Sequence, residues 1–476
     1  MNHFQNGEIM KYFAYVHHRK IPTALLLLAL TLPPARGEGT SIPTLHDAMG
    51  LPDWLTFSIR HRTRYEAMDN VFRQGAHGND QVLAFRTLVF AEARHGAWRL
   101  GAEFADSRIA LDSPGTPVNT SLVNQAELLQ AYLAWEGQNV FGSGLDLAIK
   151  GGRQTLDFGS RRLIARNRFR NTINGFNGVD LRLRRHDTWR WRSFFVFPVA
   201  RLPNDKAALR RDQTEFDEEH AGTFFTGTFI GLDRLPWRTR GELYAYYLRE
   251  EDSDRVATRN RKLWTPGLRW YRQPRLGRLD FELETALQTG TSRLNTSTTD
   301  NLDHFAWFGH AAVGYTFDLP WRPRLLAQYD YASGDDDPGD GKNRRFDTLF
   351  GARRFEFGPT SIWGAFARAN LNSPGLRLQV KPGRGVSGFF AYRAFWLAEK
   401  RDAWTGAKLQ DPTGRSGRFL GHQIELRARW RAIPQHLTLE AGWAHLFKGK
   451  FARNAPGAPR NRKDADYFYT QTTLSF

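Results

Sequence analysis

Cysteine is absent from all 476 residues, so no disulfide framework braces the chain, and its fourteen histidines stand in no H-E-x-x-H or Cys/His spacing for zinc. Long apolar runs are missing as well. A membrane helix needs roughly 18 consecutive apolar residues, and the block that comes nearest, Ile21 to Leu32, is shorter. A helical membrane protein is thereby excluded, and stability must come from size or from a closed hydrogen-bonded architecture. Acid is also in deficit: 49 Asp and Glu against 67 Lys and Arg leave a net charge of +18. A chain this basic suits a polyanion, an acidic surface or an acidic substrate.

The short apolar block has another use. Lys11, Arg19 and Lys20 precede it, and Ala35-Arg36-Gly37 follows with small residues, the basic–apolar–small order of a secretory signal peptide. Residues 1–37 are expected to be removed. The mature chain, 38–476, then begins near Glu38 with a charge of about +15 by the same Lys/Arg-minus-Asp/Glu count.

What the mature chain has in abundance is alternation. From Trp54 to Tyr65, Leu55, Phe57, Ile59 and Tyr65 fall on one face of a strand, and Thr56, Ser58, Arg60, Arg62 and Arg64 fall on the other. The same period of two recurs with turn residues between, predicting strands near 54–65, 82–94, 97–107, 127–135, 145–153, 177–184, 189–199, 222–231, 239–249, 262–272, 277–288, 304–317, 322–332, 375–381, 386–398, 420–430, 436–447 and 466–476. Every second junction is short, as at His95-Gly96, Arg185 to Asp187 and Ile433 to Gln435. Those between are long and polar, as at 112–124, 204–219 and 333–351. Sorting of loops by parity is what an up-and-down barrel with two different rims produces. The fold class is therefore all-β: a transmembrane antiparallel up-and-down barrel of about 18 strands (16–18), with long extracellular loops and short periplasmic turns.

The polar faces support this reading. Asp280, Glu282 and Glu284 alternate with Phe281 and Leu283, and Glu425, Arg427 and Arg429 alternate with Ile424, Leu426 and Trp430. Charge at this density cannot fill a dry core unpaired, so these faces are expected to see water. Trp54, Trp98, Trp135, Trp237, Trp264, Trp321 and Trp443 lie near strand ends, where an interfacial girdle belongs. The last strand stops on an aromatic, Phe476, which resembles the assembly signal of outer-membrane proteins.

No enzyme constellation stands out. Gly383 to Gly388 spells G-x-G-x-x-G, yet it leads into the strand-like Phe389-Phe390-Ala391-Tyr392 and not into a helix. The acidic stretch Ser333 to Gly341 carries oxygen ligands of the calcium type but lacks the terminal Glu of an EF-hand, so it reads as a solvated rim loop. Glu282 with Glu284 has the look of a carboxylate pair, but a lumen ladder is the commoner explanation for i, i+2 acids on one strand face. No cofactor and no metal are expected. Nucleic acid is an unsuitable partner, because the cations alternate along strands and build neither a groove-facing helix nor a stacking platform.

The arginines remain. Alternation turns Arg60, Arg62, Arg64, Arg86, Arg94, Arg99, Lys150, Arg182, Arg184, Arg190, Arg192, Arg377, Lys381, Arg393, Arg427 and Arg429 toward the lumen, with Glu92, Glu103, Asp180, Glu242, Asp280, Glu282, Glu284, Glu425 and Glu440 among them. Such charges either lock the wall by cross-strand pairing or make a net electropositive conduit for anions. The excess of cations favours the conduit.

Several segments resemble the alginate export family of outer-membrane porins: Lys150 to Leu156 (KGGRQTL), Arg162-Leu-Ile-Ala165 with Asn174 to Asp180, Tyr329 to Asp337, Arg345 to Phe350, Ala394 to Leu397 and the terminal strand. The resemblance implies an eighteen-stranded barrel passing a polyuronate from periplasm to exterior, and a place in a trans-envelope secretion assembly with a periplasmic scaffold. It implies constriction cations at Arg60 to Arg64, Arg86, Arg153 and Arg162, with Asp180 as a nearby lumen acid. Arg153 falls out of phase with Lys150 and Gly152, so it faces inward only if Gly151-Gly152 forms a bulge. The resulting expectation is a Gram-negative outer-membrane channel, embedded in outer-membrane lipid, for an anionic exopolysaccharide of the alginate type. The alternative is a porin for uptake of small anionic solutes.

Overall fold

Alternation along the sequence becomes a set of hydrogen-bonded ladders in the computed structural model, which describes residues 44–383 and 385–476. The signal-peptide segment, 1–37, lies outside the described residues. Eighteen strands build the wall: β1 (Leu55–Asp69), β2 (Asp80–His95), β3 (Trp98–Ala110), β4 (Asn124–Val140), β5 (Leu145–Gln154), β6 (Phe176–Arg185), β7 (Trp189–Ala200), β8 (Phe224–Leu235), β9 (Thr239–Arg249), β10 (Lys262–Arg272), β11 (Arg278–Ser292), β12 (Leu302–Thr316), β13 (Arg324–Ala332), β14 (Leu371–Gly383), β15 (Val386–Trp396), β16 (Phe419–Ile433), β17 (Leu437–Lys448) and β18 (Ala465–Ser475).

Each strand pairs antiparallel with the next. Strand β18 closes on β1, from Arg60↔Ser475 to Asp69↔Asp466. At the seam the Phe476 N–H donates to the Ile59 carbonyl at 2.9 Å, and the Ile59 N–H donates back at 3.1 Å. Closure leaves no wall strand with an unpaired edge, the condition for crossing hydrocarbon with strands. Several strands run longer than the alternation suggested; β1 continues through Glu66 and Asp69 because a ladder needs only backbone donors and acceptors. Short connections such as 96–97, 186–188 and 434–436 lie at one rim, and long ones such as 155–175, 201–223, 333–370 and 397–418 lie at the other.

The faces divide as the pleat requires. Along β1 the burial pattern alternates, with Arg62, Arg64, Glu66 and Met68 buried inside and Leu55, Phe57 and Ile59 turned outward. Trp98, Trp237, Trp264 and Trp321 are exposed near strand ends.

The interior is not uniformly wet, which corrects the expectation for the polar faces. In the long-loop half, Phe346, Phe357, Trp363, Phe366 and Trp404 from the loops pack against the wall residues Phe225, Tyr246, Phe308, Phe395 and Tyr467 as one core. Loops 155–175, 333–370 and 397–418 all contribute to it, and the first two meet at a bridge between Ile164 and Phe350.

Candidate functional site

The short-turn half of the barrel is open. A cavity of about 990 Å³ begins among Glu136, Asp146, Arg184, Arg240 and Gln273 at the short-turn rim and ends against Asp157, Phe158, Arg162, Phe355 and Glu356 of loops 155–175 and 333–370. Ten arginines and seven carboxylates line it. Their arrangement matters more than the tally, because buried carboxylates such as Asp180 and Glu242 stand behind more exposed guanidiniums.

Asp180 on β6 is fully buried and accepts from Arg192 at 2.5 Å and Arg182 at 2.7 Å, while the Arg182 side chain stays 45% exposed. Arg184, 54% exposed, holds Asp146 at 2.9 Å. Arg190 holds Glu242 at 2.8 Å, and Glu242 is buried. Arg429 likewise covers the buried Glu440 at 2.5 Å. The Arg182, Arg184 and Arg190 pairs therefore turn their positive ends toward the cavity, whereas Arg429 is exposed outside its lining. A carboxylate bidding for such an arginine meets an accessible planar fork of donors.

The floor is a dense ionic knot. Arg162 reaches Glu282, Glu284 and Glu356, each at 2.5 Å. Arg368 also holds Glu356, Tyr244 donates to Glu284 at 3.0 Å, and Arg393 holds Asp330 at 2.8 Å. His310, Asp330 and Glu356 lie close enough together to suggest a metal site. The donors fit poorly: Asp330 and Glu356 are taken by arginines, and His310 Nδ1 is spent on Asp330 at 2.7 Å. In the acidic rim loop the cation is internal, since Arg344 lies 2.8 Å from Asp336 and 2.7 Å from Asp340.

Several of the arginines placed by alternation do face inward, but they do not meet solvent. Arg62 donates to the carbonyls of Arg168 and Phe169 at 2.9 and 3.0 Å and to Asn171 at 2.7 Å. Arg64 donates to the Phe169 carbonyl, and Arg86 to that of Arg170 at 3.0 Å. Arg377 grips the Phe355 carbonyl at 2.7 Å, and Arg393 that of Glu356 at 3.3 Å. These side chains hold loops 155–175 and 333–370 inside the barrel. The cost of burying them is met by carbonyl acceptors and carboxylates in place of water.

The remaining positions are less committed. Arg60 is exposed and Arg94 pairs with Glu92 at 2.8 Å. Lys150 sits 3.7 Å over the Tyr132 ring, and Arg427 4.7 Å over Phe389. Arg153 stands apart. The ladders on both sides of β5 run through 150–154 without a register shift, so the bulge that would turn it is missing, and its guanidinium lies 3.9 Å from Asp217 of the β7–β8 loop.

Alternation also points to inward arginines beyond those named above. Arg240, Arg269 and Arg324 line the cavity, with Arg269 on Glu242 at 3.0 Å and Arg324 on Asp280. Each shares a face with inward residues of its strand, Tyr271 beside Arg269 and Gln328 along from Arg324. Arg272, also in the lining, lies beyond that pattern at a strand end. Among loop groups, burial lowers the pKa of Arg353 to about 10. Burial, with the neighbouring Asp402, pushes the Asp335 carboxyl up to about 6.

The alginate export family profile matches residues 53–466 of the chain. Curated proteins give no match. Among solved structures, Pseudomonas aeruginosa OpdO is similar at 15% identity, over 89% of this chain and 97% of that one, with a TM-score of 0.54. Pseudomonas aeruginosa OccK9 (OpdG) follows at 14% identity, 89% and 98% coverage and a TM-score of 0.56. Pseudomonas aeruginosa OpdK, solved with vanillate, matches at 12% identity with the same coverages and a TM-score of 0.55. At these identities the likeness speaks for the barrel fold alone.

Proposed function

The chain belongs to the alginate export family, and from that premise we propose that it passes an anionic exopolysaccharide of the alginate type through its lumen, from the short-turn rim outward. Family and fold are those of outer-membrane channels. The observation that carries the reading is the orientation of the ion pairs: Asp180, Glu242 and Glu440 are buried behind Arg182, Arg190 and Arg429, whose heads remain accessible. A uronate chain offers one carboxylate per sugar, and a series of half-satisfied guanidiniums lets each grip be exchanged for the next. Conduction needs this balance, since a site must attract the solute and then release it. The outward apolar face of Leu55, Phe57 and Ile59 lies in outer-membrane lipid, and a periplasmic scaffold delivers the polymer to the mouth. Arg60, Arg182, Arg184 and Arg429 are the proposed pathway cations. Arg62, Arg64, Arg86, Arg377 and Arg393 act indirectly, by setting the loops.

Uptake of small anions is the second reading. OpdK, a barrel of the same fold, was solved with an aromatic acid, and a cavity of about 990 Å³ holds a solute of that size. Planar-bilayer recording in a salt gradient tests both. Polymer export requires an anion-selective reversal potential together with current block by polyuronate oligomers at low salt. A cation-selective or oligomer-indifferent channel contradicts it, and block by vanillate-sized acids without block by oligomers favours uptake.

A further inference from the structure

Two recesses open off the lumen cavity at the short-turn rim. The first, about 560 Å³, shares Arg240, Arg272 and Gln273 with the lumen lining. The second, about 440 Å³, shares Pro274, Arg324 and Gln379. Arg275 belongs to both recesses, so they form one crescent around the turns after β8, β10, β12 and β14.

The charge here differs in kind from that of the lumen. Where the lumen sets ten arginines against seven carboxylates, the crescent has ten cations and a single carboxylate, Asp233, which Arg190 already holds at 2.5 Å. Among the described residues Arg238, Arg275, Arg278, Arg322 and Lys381 have no ion-pair partner. Five exposed cations without a counter-charge leave the rim a positive field that draws anions to it. Trp237 is 76% exposed on the lip of the first recess, an apolar face of the kind on which the C–H side of a pyranose ring can lie.

We propose that this crescent is a capture site for a carboxylate-bearing oligosaccharide, at the rim upstream of the lumen ion pairs and continuous with them through Arg240, Arg272 and Arg324. The inference rests on the export reading given above. Continuity of both recesses with the lumen, through shared lining residues, favours a polymer bound for the cavity over a lipid phosphate approaching from outside the wall.

The test titrates hexamannuronate into the detergent-solubilised full-length barrel at low salt, by calorimetry, for the parent and for the triple variant Arg238→Gln, Arg275→Gln, Arg278→Gln. All three residues lie in turns or at a strand start, and heat-modifiability on gels screens for folded barrel. Loss of about three exposed charge contacts is expected to weaken binding roughly tenfold, while the parent's anion selectivity in bilayers persists. A second variant with Lys at the same three positions keeps the charge and is expected to retain the parent affinity within about threefold. Unchanged affinity in the Gln variant, or equal loss in the Lys variant, overturns the proposal. So does abolition of oligomer binding in phosphatidylglycerol nanodiscs with none in phosphatidylcholine, which assigns the crescent to lipid. If the parent barrel itself shows neither anion selectivity nor oligomer block, the export reading fails, a result distinct from any of these.

Discussion

Arg162 is the residue on which the inward loops turn. It neutralises Glu282, Glu284 and Glu356 at once, and its own carbonyl accepts from Arg368 at 3.0 Å. Breaking a buried pair by removing one partner costs about 3–5 kcal/mol, because the charge left behind has no solvent. Arg162→Ala is therefore expected to loosen loop 155–175, seen as faster hydrogen exchange across it, and to raise single-channel conductance. Asp335 gives a pH dependence of opposite sense to that of a salt-bridged acid. Its carboxyl is pushed up to about 6 by burial and by Asp402, whereas an unfolded Asp titrates near ~3.9. The folded state thus holds this proton more tightly, so the contribution is full below about pH 4 and is lost as pH rises through about 6. Asp335→Asn is expected to flatten that part of the slope, read as the difference in thermal midpoint between variant and parent from pH 4 to 7. At this scale the sequence was a partial guide. Alternation put Arg62, Arg64 and Arg86 on the inward face, but their partners are backbone carbonyls of residues 168–170, and a carbonyl leaves no mark in a sequence.

The strands were legible because period two is local: each of the eighteen segments with alternating faces became a wall strand, and loop parity set the two rims. The inward loops were illegible for the converse reason. Loop 155–175 is anchored to β1–β3 through Arg62, Arg64 and Arg166 on Glu103 (2.6 Å), and to β11 through Arg162, contacts between elements far apart in the chain. Neighbouring strands also interlock side by side. Tyr132, Tyr244 and Tyr469 each lay a ring over a cross-strand glycine, Gly101, Gly267 and Gly442. A Cβ at Gly442 would collide with the hydroxyl-bearing edge of the Tyr469 ring, whose hydroxyl donates to Glu440 at 2.6 Å. Gly442→Val is expected to cost about 1–3 kcal/mol by overpacking and to free Glu440 from Tyr469. A lower unfolding midpoint in detergent measures the first effect, and weaker anion selectivity the second.

Over the whole molecule the barrel is a cup: open and arginine-rich toward the short turns, packed with loop aromatics toward the long loops. On the proposed export of a polymer, the aromatic core around Trp363 and Phe366 would have to give way, and the ionic knot at Arg162 would be the joint nearest the incoming chain. Under that proposal, polyuronate carboxylates would compete for this guanidinium with Glu282, the most exposed of its three partners at 26%. Glu282→Gln is accordingly expected to lower the oligomer concentration that blocks the current in bilayers. Passage itself is tested most directly by proteoliposomes loaded with labelled hexamannuronate. The uronate hexamer is expected to be released well ahead of neutral maltohexaose, with release slowed by high salt. Equal release of the two, or retention of the uronate while small anions escape, would contradict it.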